Sequence, residues 1–349
     1  MMSINRDPCI QAESPFQKEI FVLQNLLRNQ TFSAFESIEE SGRSVKVYIF
    51  RRLFHSILVL VGISMVVFII LHLTGDPAAL MMPMDATPEQ VAQFRKEMGF
   101  TDPLPVQYWR FFKGTLRGDF GNSFRHSQPA LSLVLERMPA TIQLTFAALI
   151  IALMIAIPAG IVSAIRRNSI LDHIGMTGAL LGQSMPVFWL GIMLILIFSV
   201  TLRWFPSSGR GGIQHLILPA IALGMFSMAR TARVMRSSML EVLGQEYMTT
   251  AKAKGLAPPV VILKHALKNA AIPVVTVVGM ELGTLLGGAV ITETIFAWPG
   301  VGRLAIQAIY NRDYPVVQAA VFILASIFVL INLMVDLIYT YLDPRVRLG

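Results

Sequence analysis

The chain has few charged residues and a single cysteine, and each shortage narrows what it can be. Charged residues make up 14% of its 349 residues, whereas hydrophobic residues make up 54%, and the mean hydropathy is +0.61. An average soluble domain carries about 25% charged residues. The composition therefore excludes an ordinary soluble domain and places the chain in a bilayer. Cys9 has no second cysteine to pair with, which excludes an internal disulfide.

The chain also lacks the residue patterns that carry catalysis or that hold nucleotides and metals. The phosphate-binding pattern Gly-x-x-x-x-Gly-Lys-[Ser/Thr] does not occur, so the chain does not hydrolyse ATP by that route. Ser184 lacks the Gly-x-Ser-x-Gly frame of a nucleophile and has no evident basic partner. The six histidines are scattered, without metal-ligand spacing. We therefore predict no catalytic residue, no metal site and no cofactor bound by this chain.

Long apolar runs dominate what remains. A membrane-spanning helix needs about 20 mainly apolar residues, and the sequence offers such runs in an all-α, polytopic arrangement. The predicted spans are 53–73, 140–165, 174–202, 216–235, 274–295 and 316–341. Arg230 and Arg233 interrupt the fourth run and Glu281 interrupts the fifth, which makes these two spans the weakest predictions.

Basic residues in the short connecting segments predict the orientation, because they favour the cytoplasmic side. They lie before the first span, after the second, between the fourth and fifth, and after the sixth, in the order Arg51, Arg52, Arg166, Arg167, Arg233, Arg236, Lys252, Lys254, Lys264, Lys268, Arg345 and Arg347. Both termini are therefore predicted to be cytoplasmic. The net charge of +8 is spread over these membrane-flanking segments, which favours contact with anionic lipid over nucleic acid.

The predicted organisation has five parts: a cytoplasmic arm at 1–50, a first transmembrane helix at 51–73, an extracytoplasmic segment at 74–138, a five-helix core at 139–341 that includes a cytoplasmic loop at 237–272, and a cytoplasmic tail at 342–349. The arm contains a weak amphipathic pattern at 15–35. We expect the arm to be dispensable, as an extension or an over-assigned start. The extracytoplasmic segment predicts a turn at 75–77 and helices at 88–98 and 105–116, the latter with an aromatic face.

The loop at 237–272 predicts a helix, a break and a second helix. Good helix formers cover 246–254, Gly255 is a natural helix stop, and Pro258 and Pro259 forbid immediate continuation. The second run, 260–271, mixes apolar residues with Lys264, His265 and Lys268. A helix lying on lipid headgroups explains the lysines equally well, but it explains the tight glycine break less well.

This loop resembles the cytoplasmic loop of ABC importer permeases, and in particular of the peptide, nickel and glutathione branch. Two of the three leading residues differ from the general Glu-Ala-Ala pattern of the superfamily, but the run Thr250 to Leu256 is similar to that branch. The resemblance covers most of 48–347. It extends to Gly75-Asp76-Pro77, Arg236-Ser237-Ser238-Met239, Glu293-Thr294-Ile295-Phe296-Ala297-Trp298-Pro299-Gly300, Asn311-Arg312-Asp313-Tyr314-Pro315 and Asp343-Pro344-Arg345.

The resemblance implies a type I ABC permease fold in the bacterial inner membrane, with an extracytoplasmic insert after the first helix. It implies a second, homologous permease subunit, two ATPase subunits or domains that use ATP and Mg, and an extracytoplasmic binding protein facing the loops at 298–300 and 313–315. It also implies that the short helix docks on an ATPase, through Glu246, Thr249, Thr250, Ala251, Lys252, Ala253, Lys254, Gly255 and Leu256. Peptide import is the expected function, with nickel or glutathione import as the alternative.

An ion-coupled secondary transporter is the alternative from another class, and it needs ionisable residues within the spans. Glu281 and Asp336 are a thin set for that role. A carboxylate within a span is costly unless it faces water or a partner. Glu281 is therefore predicted either to recognise a cationic substrate group in the pathway or to pair with Arg230.

Two further patterns flank this carboxylate. Gly279, Gly283 and Gly287 recur at four-residue spacing, with Gly288 beside them, which favours close helix packing over exposure of backbone to substrate. Arg230, Arg233 and Arg236 recur at three-residue steps, and we interpret them as side chains extending to the headgroups rather than as a gate. Close packing and exposure to substrate can coexist in a pore-lining helix. The pathway candidates are Glu281, Gly283, Gly287, Gly288 and Arg230.

Overall fold

The computed structural model describes residues 45–74, 82, 86–97 and 99–342, and every regular element in these residues is a helix. Most of the predicted arm with its 15–35 helix, the turn at 75–77 and residues 343–349 of the tail lie outside the described residues. Residues 53–339 form one compact unit, and residues 1–52 and 340–349 belong to a second. Of the second unit, the described residues are helical.

The helices are α1 (Val45–Thr74), α2 (Pro88–Glu97), α3 (Leu104–Leu116), α4 (Ala130–Ile165), α5 (Ile170–Ser184), α6 (Val187–Leu194), α7 (Ile213–Leu243), α8 (Glu246–Ala253), α9 (Leu267–Ile295), α10 (Val301–Tyr310) and α11 (Tyr314–Leu342). A π-helical segment, Ile195–Thr201, extends α6. A helical turn at Pro258–Val260 and a π-helical segment at Val261–Ala266 lead into α9.

Within the described residues, five helical stretches are long and apolar enough to cross a membrane. They are parts of α1 and α11, the whole of α4 and α7, and the continuous stretch from Pro258 to Ile295 that ends with α9. A sixth crossing exists if α5 and the stretch Val187–Thr201 count as one span. The predicted all-α, polytopic fold is therefore confirmed, with five or six spans.

The prediction of one unbroken third span at 174–202 is wrong. The chain bends by 108° between Ile170–Ser184 and Val187–Thr201. Met185 and Pro186 at the bend have extended backbone angles, because proline disfavours the α-helical conformation at the residue before it. Hydropathy did not reveal this break, because the residues on both sides of the bend are apolar.

The fifth span begins earlier than predicted. Pro258 and Pro259 occupy the first helical turn, where a missing backbone N–H costs little, and the helix then runs through Pro273 without interruption. The run at 260–271 is therefore the beginning of the fifth span and not a separate surface helix. Lys264, His265 and Lys268 lie on this entry segment.

Small residues hold α4 and α7 close together. A Cβ atom on Gly160 of α4 would lie 2.7 Å from the Ala232 carbonyl oxygen of α7. A Cβ atom on Gly224 of α7 would lie 2.6 Å from the Ala148 carbonyl oxygen of α4. Such distances leave no room for a side chain, so the backbones approach directly, as small residues allow in membrane helices. Among the described spans, α7 is the most buried.

The segment between α1 and α4 packs on the unit mainly through aromatic rings. Phe68 of α1 lies 5.5 Å from the Tyr108 ring and 5.8 Å from the Phe111 ring of α3, measured between ring centroids. The Tyr108 and Ser64 hydroxyls lie 2.9 Å apart. The predicted aromatic face of this helix therefore anchors α3 against α1, while Trp109 remains 64% exposed.

Candidate functional site

The short helix α8 lies against the ends of three spans. Met248 is fully buried and Ala251 is 7% exposed, within a cluster formed by α4, α7 and the entry to α9. This cluster includes Ala164, Met235, Met239, Val261, Ala266 and Ala270. The Asn269 amide nitrogen of α9 also donates to the Tyr247 hydroxyl of α8 over 2.8 Å. A displacement of α8 would therefore act on all three spans at once.

The opposite face of α8 and the turn after it are exposed. Eight of the nine residues of the predicted docking set are exposed, and Ala251 is the exception. The eight are Glu246, Thr249, Thr250, Lys252, Ala253, Lys254, Gly255 and Leu256. Ala251 was predicted to belong to the docking surface, but it points inward and packs on the spans. Gly255 has φ +73°, a conformation that suits glycine.

A pocket of about 310 Å³ opens beside α8. Its lining is mainly apolar, with Lys252 as the charged residue, and consists of Ile165, Leu243, Lys252, Leu256, Pro258, Val261 and Ile262. The exposed break at Gly255 lies next to this lining in sequence. The α8 surface thus combines exposed charged residues with an apolar recess, the composition expected of a protein contact.

The three arginines of α7 each contact a polar side chain of a neighbouring helix. Arg236 donates to both carboxylate oxygens of Asp172 on α5, each over 2.7 Å. Arg233 donates to the Gln183 amide oxygen on α5, and Arg230 donates to Glu281 on α9 over 3.2 Å. The interpretation that these arginines extend to the headgroups does not describe these contacts, because each arginine is directed toward a side chain of a neighbouring helix.

Glu281 itself is 1% exposed, whereas the side chain of Arg230 is 44% exposed. The contact between them is the pairing alternative for Glu281. A carboxylate with so little exposed area is not available to bind a cationic substrate group directly, which removes the structural basis of the other alternative. The exposed partner is the arginine.

The glycines of α9 face different surroundings. A Cβ atom would lie 2.7 Å from Val335 at Gly279 and 2.9 Å from Phe328 at Gly283, both on α11. A Cβ atom at Gly287 would meet nothing within 4 Å, and one at Gly288 would lie 3.3 Å from Leu223 of α7. Gly279 and Gly283 thus serve close packing, whereas Gly287 lies on an exposed part of α9.

A buried carboxylate at the end of the bundle opposite α8 was missed from the sequence. Glu293 is fully buried, accepts a hydrogen bond from the Thr141 hydroxyl over 2.6 Å, and accepts another from the Arg303 backbone N–H over 3.0 Å. It thereby joins α9, α4 and the first turn of α10. A carboxylate in the apolar run at 274–295 was the available signal, since the same criterion had selected Glu281.

Two loop residues expected near a binding protein turn inward. Trp298 is fully buried and donates its ring N–H to the Ala140 carbonyl over 2.8 Å. Asp313 is 3% exposed and accepts hydrogen bonds from the Ser123 hydroxyl and the Phe124 backbone N–H. These side chains fasten the loops, so a partner would meet other residues, such as the 84% exposed Tyr310.

Comparisons with known proteins agree with one another. Residues 156–348 match the model of the binding-protein-dependent transport system inner membrane component, and residues 45–145 match the model of the N-terminal part of such membrane components.

Among the described residues, no group of three or more His, Cys, Asp or Glu is arranged to hold a metal ion.

Curated relatives cover 86% of this chain. The dipeptide transport system permease protein DppB of Alkalihalophilus pseudofirmus is 46% identical over 329 residues, with 99% of that protein covered. The protein of the same name from Escherichia coli K12 is 41% identical, with 98% covered. The glutathione transport system permease protein GsiC of Salmonella paratyphi A is 42% identical, with 98% covered.

Among solved structures, the inward-facing MetNI methionine ABC transporter resembles this chain with a TM-score of 0.52 and 22% identity. The alignment covers 60% of this chain and 96% of the solved one. At this identity the likeness concerns the fold, and it agrees with the predicted type I ABC permease fold.

Proposed function

The chain belongs to the family of binding-protein-dependent transport system inner membrane components, and we propose that it forms half of the pore through which an ABC importer takes up di- or oligopeptides. The names of the relatives support this substrate class, because proteins 41% and 46% identical to this chain are called dipeptide permeases. The glutathione permease at 42% identity supports glutathione, itself a peptide, as the second candidate cargo.

The observation that carries the proposal is the two-faced geometry of α8. Met248 anchors the helix on the ends of α4, α7 and α9, while Glu246, Lys252 and Lys254 remain exposed. An ATPase subunit that grips the exposed face would pass its closure to three spans through the buried face. Charged residues around such a contact set the orientation and specificity of docking.

The assembly that follows contains partners beyond this chain. We infer a second, homologous permease subunit that completes the pore and two ATPase subunits or domains that bind ATP and Mg. We also infer a binding protein that delivers cargo at the end of the bundle opposite α8. This chain then acts as a transport subunit, with both termini and α8 on the cytoplasmic side of the bacterial inner membrane. The basic residues of the short connecting segments support this orientation.

Substitution at Gly255 tests the docking proposal. Gly255→Arg is expected to abolish ATP-driven peptide uptake while the chain stays abundant and inserted, because no atom lies within 4 Å of a Cβ at this exposed position and a long charged side chain there would obstruct only a partner. The measurements are peptide uptake, membrane abundance and co-purification of the ATPase.

Two control variants separate obstruction from other effects. Gly255→Ala introduces the same backbone strain at φ +73° without bulk, and it should retain most of the uptake. Lys254→Ala removes one rim charge and should have a mild effect. Normal uptake and normal ATPase co-purification in Gly255→Arg would contradict docking at this surface.

A further inference from the structure

The arginine row of α7 contains two guanidinium groups whose hydrogen-bonding capacity is largely unused. A guanidinium carries five N–H donors. Arg230 uses one on Glu281, and Arg233 uses one on Gln183. Arg236 instead contacts both oxygens of Asp172 through two nitrogens. Arg230 and Arg233 are therefore oriented by neighbouring helices but not saturated by them.

The location of these two residues requires a polar environment on their free side. Arg230 lies about 26 Å along α7 from Ile213 at 1.5 Å per residue, in the half of this spanning helix that leads to α8. Its side chain is 44% exposed, and its hydrogen bond to Glu281 directs it across to α9. Charged side chains that contact a neighbouring span in this way face a bundle interior or a water-filled cavity. In a pore-forming subunit, that cavity is the transport pathway.

The surface next to Glu281 on α9 is consistent with such a cavity. Thr284 and Gly287 are exposed on this helix, and the space beside Gly287 is open. The buried Glu281, three residues before Thr284, contacts Arg230 over 3.2 Å. This face therefore combines a hydroxyl and a small residue with the exposed apolar side chains of Met280 and Ile291.

The charge balance indicates which ligand fits. Glu281 neutralises Arg230 and Asp172 neutralises Arg236, whereas Arg233 contacts only the neutral amide of Gln183. The row therefore retains one net positive charge. Two forked donors spaced three residues apart on one helix face, with one net charge, match a carboxylate, which accepts paired N–H bonds from arginine.

We propose that Arg230 and Arg233 bind the carboxylate of the cargo during passage, which for a peptide is its C-terminal carboxylate, and that Glu281 and Gln183 position the two guanidinium groups. This inference rests on the proposed function, since it assumes peptide cargo and a pathway beside α7 and α9. It assigns cargo contact to the exposed Arg230 and the half-buried Arg233, and a positioning role to the buried carboxylate.

The test is direct peptide binding to the assembled complex in nanodiscs of zwitterionic lipid, without the binding protein. The probes are one labelled dipeptide with a free C-terminal carboxylate and the same dipeptide as its C-terminal amide. We expect the wild type to bind the acid about tenfold more tightly than the amide, the change expected for one charge-assisted hydrogen bond. The preference should fall close to one in Arg233→Gln.

The variants are chosen so that misfolding does not hide the answer. Arg233→Gln leaves only a neutral amide without its partner, and the double variant Arg230→Gln with Glu281→Gln removes an ion pair together and avoids a buried unpaired charge. Both should assemble and both should lose the preference for the acid. Lys264→Gln also removes one positive charge, on the entry to α9, and should keep the preference.

Each outcome bears on the inference. Equal binding of acid and amide by the wild type, or an unchanged preference in Arg233→Gln and in the double variant, would overturn the assignment of Arg230 and Arg233. If the same wild-type complex still imports peptide when ATP is supplied, only this assignment fails and the proposed function stands. Absence of ATP-driven peptide import by the wild type would remove the proposed function and this inference with it.

Discussion

Arg236 and Arg230 lie on the same helix, and each contacts a carboxylate that is almost fully buried. Arg236 meets both oxygens of Asp172 at 2.7 Å, and its side chain is 25% exposed. Arg230 meets one oxygen of Glu281 at 3.2 Å, and its side chain is 44% exposed. The first pair fastens two helices, whereas the second pair leaves an arginine available for another ligand.

The surroundings of the two carboxylates explain this difference. Asp172 lies in the first turn of α5, where it also accepts a hydrogen bond from the Asn168 backbone N–H over 3.0 Å, and its own backbone N–H donates to Ser169. Negative charge is favourable at a helix N-terminus. Glu281 lies in the interior of α9 and has no such helix end to support it. An arginine–carboxylate pair therefore makes two hydrogen bonds in one place and a single, longer one in the other.

The largest effect is expected from Arg236→Gln. This change leaves Asp172, 3% exposed, without its charged partner, and breaking a buried pair in this way costs about 3 to 5 kcal/mol. We expect low abundance of the assembled complex and a lower unfolding temperature. Uptake of every cargo should fall to the same extent, because less complex is present. The measurements are complex yield and thermal unfolding in detergent or nanodiscs.

The companion double variant, Arg236→Gln with Asp172→Asn, sharpens this test. It removes both charges together, so most of the lost stability should return while the neutral side chains keep a hydrogen bond. An Arg236→Gln protein with normal yield and normal unfolding temperature would show that the two pairs do not differ as described.

A smaller effect is expected from Glu281→Gln. The partner left without a countercharge is Arg230, which is 44% exposed, so the stability loss should stay near 1 kcal/mol or below, as for partly exposed pairs. The ratio of acid to amide affinity should change a few-fold, because Arg230 loses both its positioning partner and its countercharge, whereas affinity for the amide should not change.

This second variant distinguishes positioning from a purely structural role. A structural role would lower the yield of complex without altering the ratio of acid to amide affinity. An assembly defect as large as that of Arg236→Gln would erase the difference between the two pairs, and an unchanged affinity ratio would deny Glu281 its positioning role.

The elements that local pattern predicts correctly are those whose signals lie within one segment. Helix α8 ends at Ala253 before Gly255, as helix propensity and the glycine stop predict. The spans around α4 and α11 follow from apolar length alone. Predictions of this kind need no knowledge of neighbours, which is why they succeed for most of the fold.

The features that pattern left open or missed depend on contacts between distant residues. Pairing with Arg230 was one of two alternatives for Glu281, and the pair of Arg236 with Asp172 was missed. These partners are 51 and 64 residues apart in the chain, so their pairing follows from the order in which helices pack. The 108° bend at Met185 and Pro186 interrupts an apolar run that hydropathy treats as continuous. Ala251 faces inward because Met248, one turn earlier on α8, packs into the span cluster.

The central claim is that this chain serves ATP-driven peptide import. Its most direct measurement is peptide accumulation in vesicles that contain the assembled complex, with binding protein supplied on the side opposite α8. We expect accumulation to require ATP at the α8 side and the binding protein, and to persist when proton and sodium gradients are dissipated. Accumulation driven by an ion gradient without ATP would contradict the account and would favour a secondary transporter.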